Sequence, residues 1–190
     1  MDCLRLWISR GLTIVVWATI IFFMIITFTF PKWITLFYPQ PHRTIVFDAA
    51  EQYDIDPYLI FSIIRAESGF QTSARSPVGA RGLMQIMPET ADWIAKQRGI
   101  KQFDITDLHE PQINIEMGCW YLASLNREFA GSLPMVVAAY NAGSGRVREW
   151  ASSGKWDGSE QHLEDIPFPE TRQYVKRVLQ NYKAYQAIYK

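Results

Sequence analysis

Near the start of the chain the apolar positions run without a break; further on they recur at helical spacing. Residues 11–30 read GLTIVVWATIIFFMIITFTF and carry no charge. As a helix this segment is roughly 30 Å long, the thickness of a bilayer's hydrocarbon core. Trp7 and Trp33 flank it as interfacial anchors would. Its end, Thr27-Phe28-Thr29-Phe30-Pro31-Lys32, has no small-residue cleavage pattern. The segment therefore reads as one uncleaved transmembrane helix, in preference to a signal peptide or a buried core helix. A short stub, residues 1–10, precedes it. Arg5 and Arg10 before the span balance Lys32 and Arg43 after it, so charge does not choose an orientation. Pro31, Pro39 and Pro41 predict an extended spacer over residues 31–47.

From residue 48 onward the pattern is helical. A short helix over residues 49–53 is followed by one that begins at Asp56-Pro57, a good N-cap and first-turn pair. Residues 88–97, 114–129, 134–140 and 170–189 read as further helices. Sustained alternation at period two is absent, which predicts a mainly α domain over residues 48–190. A small β or irregular loop is expected between Ser152 and Pro169.

The Asp56-Pro57 helix holds the first chemical candidate. At about 100° per residue, Ile60, Ile63 and Ile64 share a stripe, and Glu67 falls on it. Arg65 points away, and Gly69 is a plausible stop. A carboxyl on that stripe, in the last turn, loses hydration and feels the negative end of the helix dipole. Both effects disfavour its charge and raise its pKa, as a general acid near pH 7 requires. A half-exposed boundary glutamate with no role fits the same stretch.

Composition narrows the classes. Lys plus Arg equals Asp plus Glu, so no electrostatic case for nucleic acid exists. His42, His109 and His162 are scattered and give no metal-ligand spacing; no metal or cofactor is implied. Cys3 and Cys119 would sit on different sides of the apolar segment, so no disulfide is expected, and Cys119 reads as a core thiol. Three polar-glycine segments lie between helices: ARSPVGARGLMQIMP, AAYNAGSG and PFPETRQYV. Amides, hydroxyls and phenols beside flexible glycines suit a wall for a neutral polar ligand. The Gly143-Ser144-Gly145 stretch is no phosphate loop, since no strand precedes it and no lysine follows in place.

Together AESGF, ARSPVGARGLMQIMPETA, AAYNAGSGRV and PETRQYV, in that order, resemble the lytic transglycosylase domain of the Slt type, a goose-lysozyme-like family of peptidoglycan-cleaving enzymes. The segment DLHEPQINIEMGCWYLASL resembles the family's linking helix. The likeness covers nearly all of residues 48–190. It implies a lysozyme-like helical domain with a substrate cleft and no cofactor. It also implies that Glu67 is the single acid/base, and that Ser76, Gln85, Met87, Tyr140, Asn141, Glu170 and Tyr174 contact the substrate or line the cleft.

The substrate so implied is the glycan strand of peptidoglycan, cut between N-acetylmuramic acid and N-acetylglucosamine with closure of a 1,6-anhydro ring. Asp56, Glu89 and Asp92, the nearest carboxylates in sequence, look like caps or a solvated helix face. The wall lies outside the bacterial cytoplasmic membrane. That places the N-terminus inside and the domain outside, anchored by residues 11–30. A goose-type hydrolase of the same bond and an inactive glycan-binding envelope module are the competing readings.

Overall fold

The computed structural model describes the backbone of residues 2–190 and the side chains of residues 13–27 and 34–190. Two compact units divide at Pro39 and Gln40.

The first unit is one helix, α1 (Asp2–Phe37). Its described apolar side chains, Ile14 to Ile26, are exposed on every side. Thr19 Oγ1 donates to the Val15 carbonyl at 2.8 Å and Thr27 Oγ1 to the Phe23 carbonyl at 2.7 Å, so both hydroxyls are satisfied inside the helix. Among the described residues no helix is long and apolar enough to cross a membrane. The rest of the 11–30 segment, with Trp7, Trp33, Arg5, Arg10, Lys32 and Cys3, lies outside the described side chains.

The second unit holds seven helices: α2 (Arg43–Tyr53), α3 (Pro57–Glu67), α4 (Pro88–Gln97), α5 (Pro111–Glu128), α6 (Leu133–Ala142), α7 (Ser144–Ser152) and α8 (Pro169–Tyr189). The spacer expected over 31–47 is narrower than its prolines suggested. The backbone is helical to Phe37 and again from Arg43. Pro39 and Pro41 hold only the break between the helices open, and Val46, Ala49 and Ala50 of α2 are buried in the core. The helix α7 was not foreseen, because Gly143 and Gly145 read as loop. Gly143 takes a φ of 88° and separates α6 from α7, and Val147 and Trp150 fix α7 by burial. The region between Ser152 and Pro169 is irregular with a 3-10 turn at Leu163–Asp165. The β-like pairing lies elsewhere, as isolated bridges of Arg81 with Arg75 and Ile86.

Helix α3 is buried all round. Tyr58 to Ile64 are all buried, so the apolar stripe understated its burial. It packs against α2 and α8, which also leaves Arg65 half-buried rather than solvated. Each such large apolar side chain contributes roughly 1.5–3 kcal/mol. Asp56 caps α3 as expected, its Oδ1 accepting from the Tyr58 N–H at 2.8 Å.

The same carboxylate ties α3 to the far end of α8. Its Oδ2 accepts from Tyr182 Oη at 2.9 Å, Gln186 Nε2 at 3.2 Å and Lys190 Nζ at 2.9 Å. Phe61 stacks on Tyr185 with ring centroids 5.6 Å apart. Burial raises the Asp56 pKa, but the hydrogen bonds from Lys190, Tyr58, Tyr182 and Gln186 outweigh it and leave the carboxyl below its ordinary value. With the C-terminal end of α8 held at residue 56, its N-terminal half reaches the opposite end of α3, at Glu67.

A second buried polar node holds the segment between α3 and α4. Asn114 is fully buried. Its Oδ1 accepts from the Met84 N–H at 2.7 Å, and its Nδ2 donates to the Leu108 and Arg81 carbonyls at 2.8 and 3.0 Å. Gly82 passes so close that a Cβ there would lie 2.1 Å from the Leu108 oxygen.

Replacing Asp56 by Ala removes a helix cap, two contacts to α8 and one to Lys190 just past its end. The expected loss is about 2–4 kcal/mol of unfolding free energy, measured by urea denaturation at neutral pH. The depressed pKa sets the sign with pH. The carboxylate's contribution is present above its unfolded pKa and fades as pH falls through the lower folded value, so the wild-type advantage over Asp56→Ala shrinks in acid.

Candidate active site

Glu67 is the last residue of α3, followed by Ser68 as C-cap and Gly69 at a φ of 58°. Its side chain is half-buried. Burial is the largest influence on the carboxyl and pushes its pKa to about 7. The Tyr174 phenol and the Arg177 guanidinium pull it down, and the Glu170 carboxylate pushes it up. Glu170, Tyr174 and Arg177 are spaced four and three residues apart on α8, hence on one face.

Tyr174 is buried, and its hydroxyl has no formed hydrogen bond. It is near enough to influence Glu67, but no bond of normal length and angle joins them; it is a poised donor. Burial and the neighbouring Glu67 carboxyl both hold the phenol well above the usual tyrosine range. Tyr140 is raised in the same way, by burial and then by Glu67. Its hydroxyl donates to the Met84 carbonyl at 2.9 Å, which leaves only its lone pairs for a ligand.

Tyr140 links the acid to a cavity of about 200 Å³, which Gln85, Met87 and Asn141 also line. Gln85 takes a φ of 47°, a conformation uncommon outside glycine. Its Nε2 donates to the Gly82 and Ala74 carbonyls at 2.8 and 3.2 Å. The amide nitrogen thus braces the loop, and Oε1 remains as an acceptor. Asn141 Oδ1 accepts from Thr171 Oγ1 at 2.7 Å, joining the end of α6 to the start of α8. Its amide nitrogen is left to donate.

Four expected residues, Gln85, Met87, Tyr140 and Asn141, therefore share one wall. Tyr174 and Glu170 gather around Glu67 instead. Ser76 sits on the loop before Gly82, where its Oγ accepts from the Ala80 N–H at 3.0 Å. The sequence reading passed over Thr90 and Tyr121, which line the same cavity. Tyr121 lies off the buried stripe of α5, and its ring meets that of Tyr140 at 5.6 Å. Thr171 and Asn114 were also missed. Polar residues inside helices carry no periodic signal until their partners are known. Cys119 is a buried free thiol, raised by burial.

The family model described as Transglycosylase SLT domain matches residues 44–163. The chain belongs to that family. A second model, Soluble lytic transglycosylase helical domain, matches residues 165–190, the 3-10 turn's last residue and α8. The soluble lytic murein transglycosylase of Salmonella typhimurium is 43% identical over 145 residues, 72% of this chain and 21% of that relative. Membrane-bound lytic murein transglycosylase C of Haemophilus ducreyi is 38% identical over 117 residues, 57% of this chain and 32% of that protein. The X-ray structure of an inactive Glu-to-Gln mutant of the lytic transglycosylase Slt from Pseudomonas aeruginosa superposes with a TM-score of 0.73 at 38% identity, over 81% of this chain and 25% of that one. The SLT chain thus spans between a fifth and a third of the length of these proteins. The helical, lysozyme-like fold expected from the motifs is the one observed.

The raised pKa of Glu67 has a definite sign. A folded value above the unfolded one means that ionisation costs stability, which falls as pH rises from about 4.5 to about 7. Glu67→Gln removes that cost. The variant is expected to exceed wild type in unfolding free energy at pH 8, by on the order of 2 kcal/mol, and so to melt higher, with the gap closing below pH 5. Equal melting curves at both pH values would show that the carboxyl is not desolvated.

Proposed function

We propose that this chain is a peptidoglycan lytic transglycosylase that cleaves the N-acetylmuramic acid–N-acetylglucosamine β-1,4 bond without water. The neutral carboxyl of Glu67, beside the Tyr140 wall of a polar cavity, carries the reading. Family membership supports it, as does the glutamate-to-glutamine change in the inactive Pseudomonas Slt.

In this mechanism protonated Glu67 donates its proton to the glycosidic oxygen, and the bond from that oxygen to the anomeric carbon breaks. The substrate's own N-acetyl carbonyl stabilises the positive anomeric carbon, as in substrate-assisted glycosidases. Tyr174, a donor with nothing else bonded, steadies the carboxylate that Glu67 has become. Glu67 then takes the proton of the muramic acid 6-hydroxyl, and that oxygen closes on the anomeric carbon to form the 1,6-anhydro ring. A hydroxyl held in place has an effective-molarity advantage over water. The Asn141 amide, the Gln85 Oε1 and the Tyr140 lone pairs orient the N-acetyl and lactyl groups, with Met87 in the same wall and Ser76 and Glu170 at the rim.

One observation favours hydrolysis as the second reading. Glu170 is a second carboxylate, exposed and electrostatically felt by Glu67, and a water-activating base is what a lysozyme-type route needs. An inert glycan-binding module is the third reading. It leaves the raised pKa of Glu67 without a use.

The anchor belongs to the same proposal. A helix exposed and apolar on all described sides, with its threonine hydroxyls bonded internally, suits lipid. One relative of this SLT domain is named membrane-bound. The domain then works on the wall side of the bacterial cytoplasmic membrane, tethered by residues 11–30.

Glu67→Gln is expected to lower turnover of purified peptidoglycan by at least about 10²–10⁴-fold while the fold persists. Near-normal turnover would refute the assignment. In wild type, kcat should fall as pH rises through about 7, where Glu67 loses its proton. Mass spectrometry of the products separates the two enzymatic readings, since an anhydro end is lighter than a reducing end by one water. Alkaline carbonate should leave the full chain in the membrane fraction; its release into the supernatant would remove the anchor.

A further inference from the structure

A second, larger cavity adjoins the first. Its volume is about 400 Å³, and it shares Thr90 and Tyr121 with the wall that carries Tyr140. The two cavities thus meet at these two side chains. Two carboxylates, Glu89 and Glu128, and two aromatic rings, Trp93 and Tyr121, line it.

Trp93 is 42% exposed despite its size. Edge contacts hold its ring, with centroids 5.3 Å from Trp120 and 6.2 Å from Tyr121. A held, part-exposed indole ring is a surface for a sugar ring or for a cation. The carboxylates decide between them. Glu128 Oε1 is bound by Arg148 Nη1 at 2.9 Å, while its Oε2 has no partner in that pair. Arg148 itself is largely in solvent. Glu89 stands exposed in the first turn of α4 and lines the same cavity. Burial and then the Glu128 carboxylate raise the Tyr121 phenol above its ordinary pKa. The Tyr121 ring and two carboxylates thus line one space.

We propose that this cavity binds a primary ammonium group carried by the glycan strand. The inference rests on the reading of the adjoining cavity as the glycan cleft. Such a group has two sources: the free side-chain amine of a stem peptide's diamino acid, or a glucosamine that lacks its acetyl group. Both present the same ammonium to Trp93, Glu89 and Glu128, and both lie within reach of a strand whose cleaved bond sits at Tyr140.

The full chain carrying Glu67→Gln provides the test, since it binds without cutting. Calorimetry reports affinity for two pairs of probes. One pair is peptidoglycan fragments with the stem-peptide amine free or acetylated. The other is glucosamine oligomers against N-acetylglucosamine oligomers. The free-amine member of one pair should bind roughly tenfold tighter, and the pair that shows the preference names the source. Adding Glu89→Gln or Trp93→Ala should abolish the preference and leave binding of the acetylated probes unchanged. Equal affinity within both pairs overturns the ammonium subsite alone. So does a Trp93→Ala loss that is the same for acetylated and free probes, which would mark a neutral sugar subsite. No binding of any probe overturns the glycan-cleft reading along with it.

Discussion

Everything at the site depends on a carboxyl placed where water is scarce. Glu67 ends a helix buried from Tyr58 to Ile64, and the desolvation of its charged form exceeds every other influence on it. Nothing nearby neutralises it fully. The Tyr174 phenol is close but unbonded, Arg177 is exposed, and Glu170 adds charge of the same sign. The result is an acid with a proton to give near neutral pH that still has a donor beside it once the proton has gone.

That balance requires α3 and α8 to be held in register over their whole length. Asp56 does this from the far end, gathering Tyr182, Gln186 and Lys190 onto one carboxylate oxygen. The Phe61–Tyr185 stack fills the middle. The same pair of helices therefore uses one carboxyl as a structural anchor and another as an acid. Hydrogen bonds separate them. Asp56 has enough donors to stay ionised despite burial, and Glu67 does not.

The cleft wall opposite is built by backbone economy. Asn114 satisfies Met84, Leu108 and Arg81 together, and Gly82 gives it room. The Met84 carbonyl is then free to accept from Tyr140. Gln85, strained into a positive φ, spends its amide nitrogen on the loop and keeps its oxygen for the cavity. Gln85, Tyr140 and Asn141 are thus positioned by these bonds, and each retains polar capacity that the bonds do not use.

Much of this was legible in the chain alone. Periodicity located α3, α4, α5, α6 and α8, because helix signals are local and an Asp-Pro start, as at residues 56 and 57, acts within one turn. The placement of Glu67 on an apolar stripe foretold a raised pKa, since both burial and the helix end follow from the same short stretch. What the sequence did not disclose needed distant partners. It did not show α7 behind two glycines, Arg65 half-buried by packing on two sides, or Thr171 reaching Asn141. It gave no sign that Tyr121 and Thr90 line two neighbouring cavities, or that Asp56, read as a simple cap, also receives two groups from α8 and one from Lys190 just past its end. Local patterns determine which residues form helices and which face is apolar. Only the packed fold decides which polar groups meet, because those contacts join residues far apart along the chain and depend on how the helices cross.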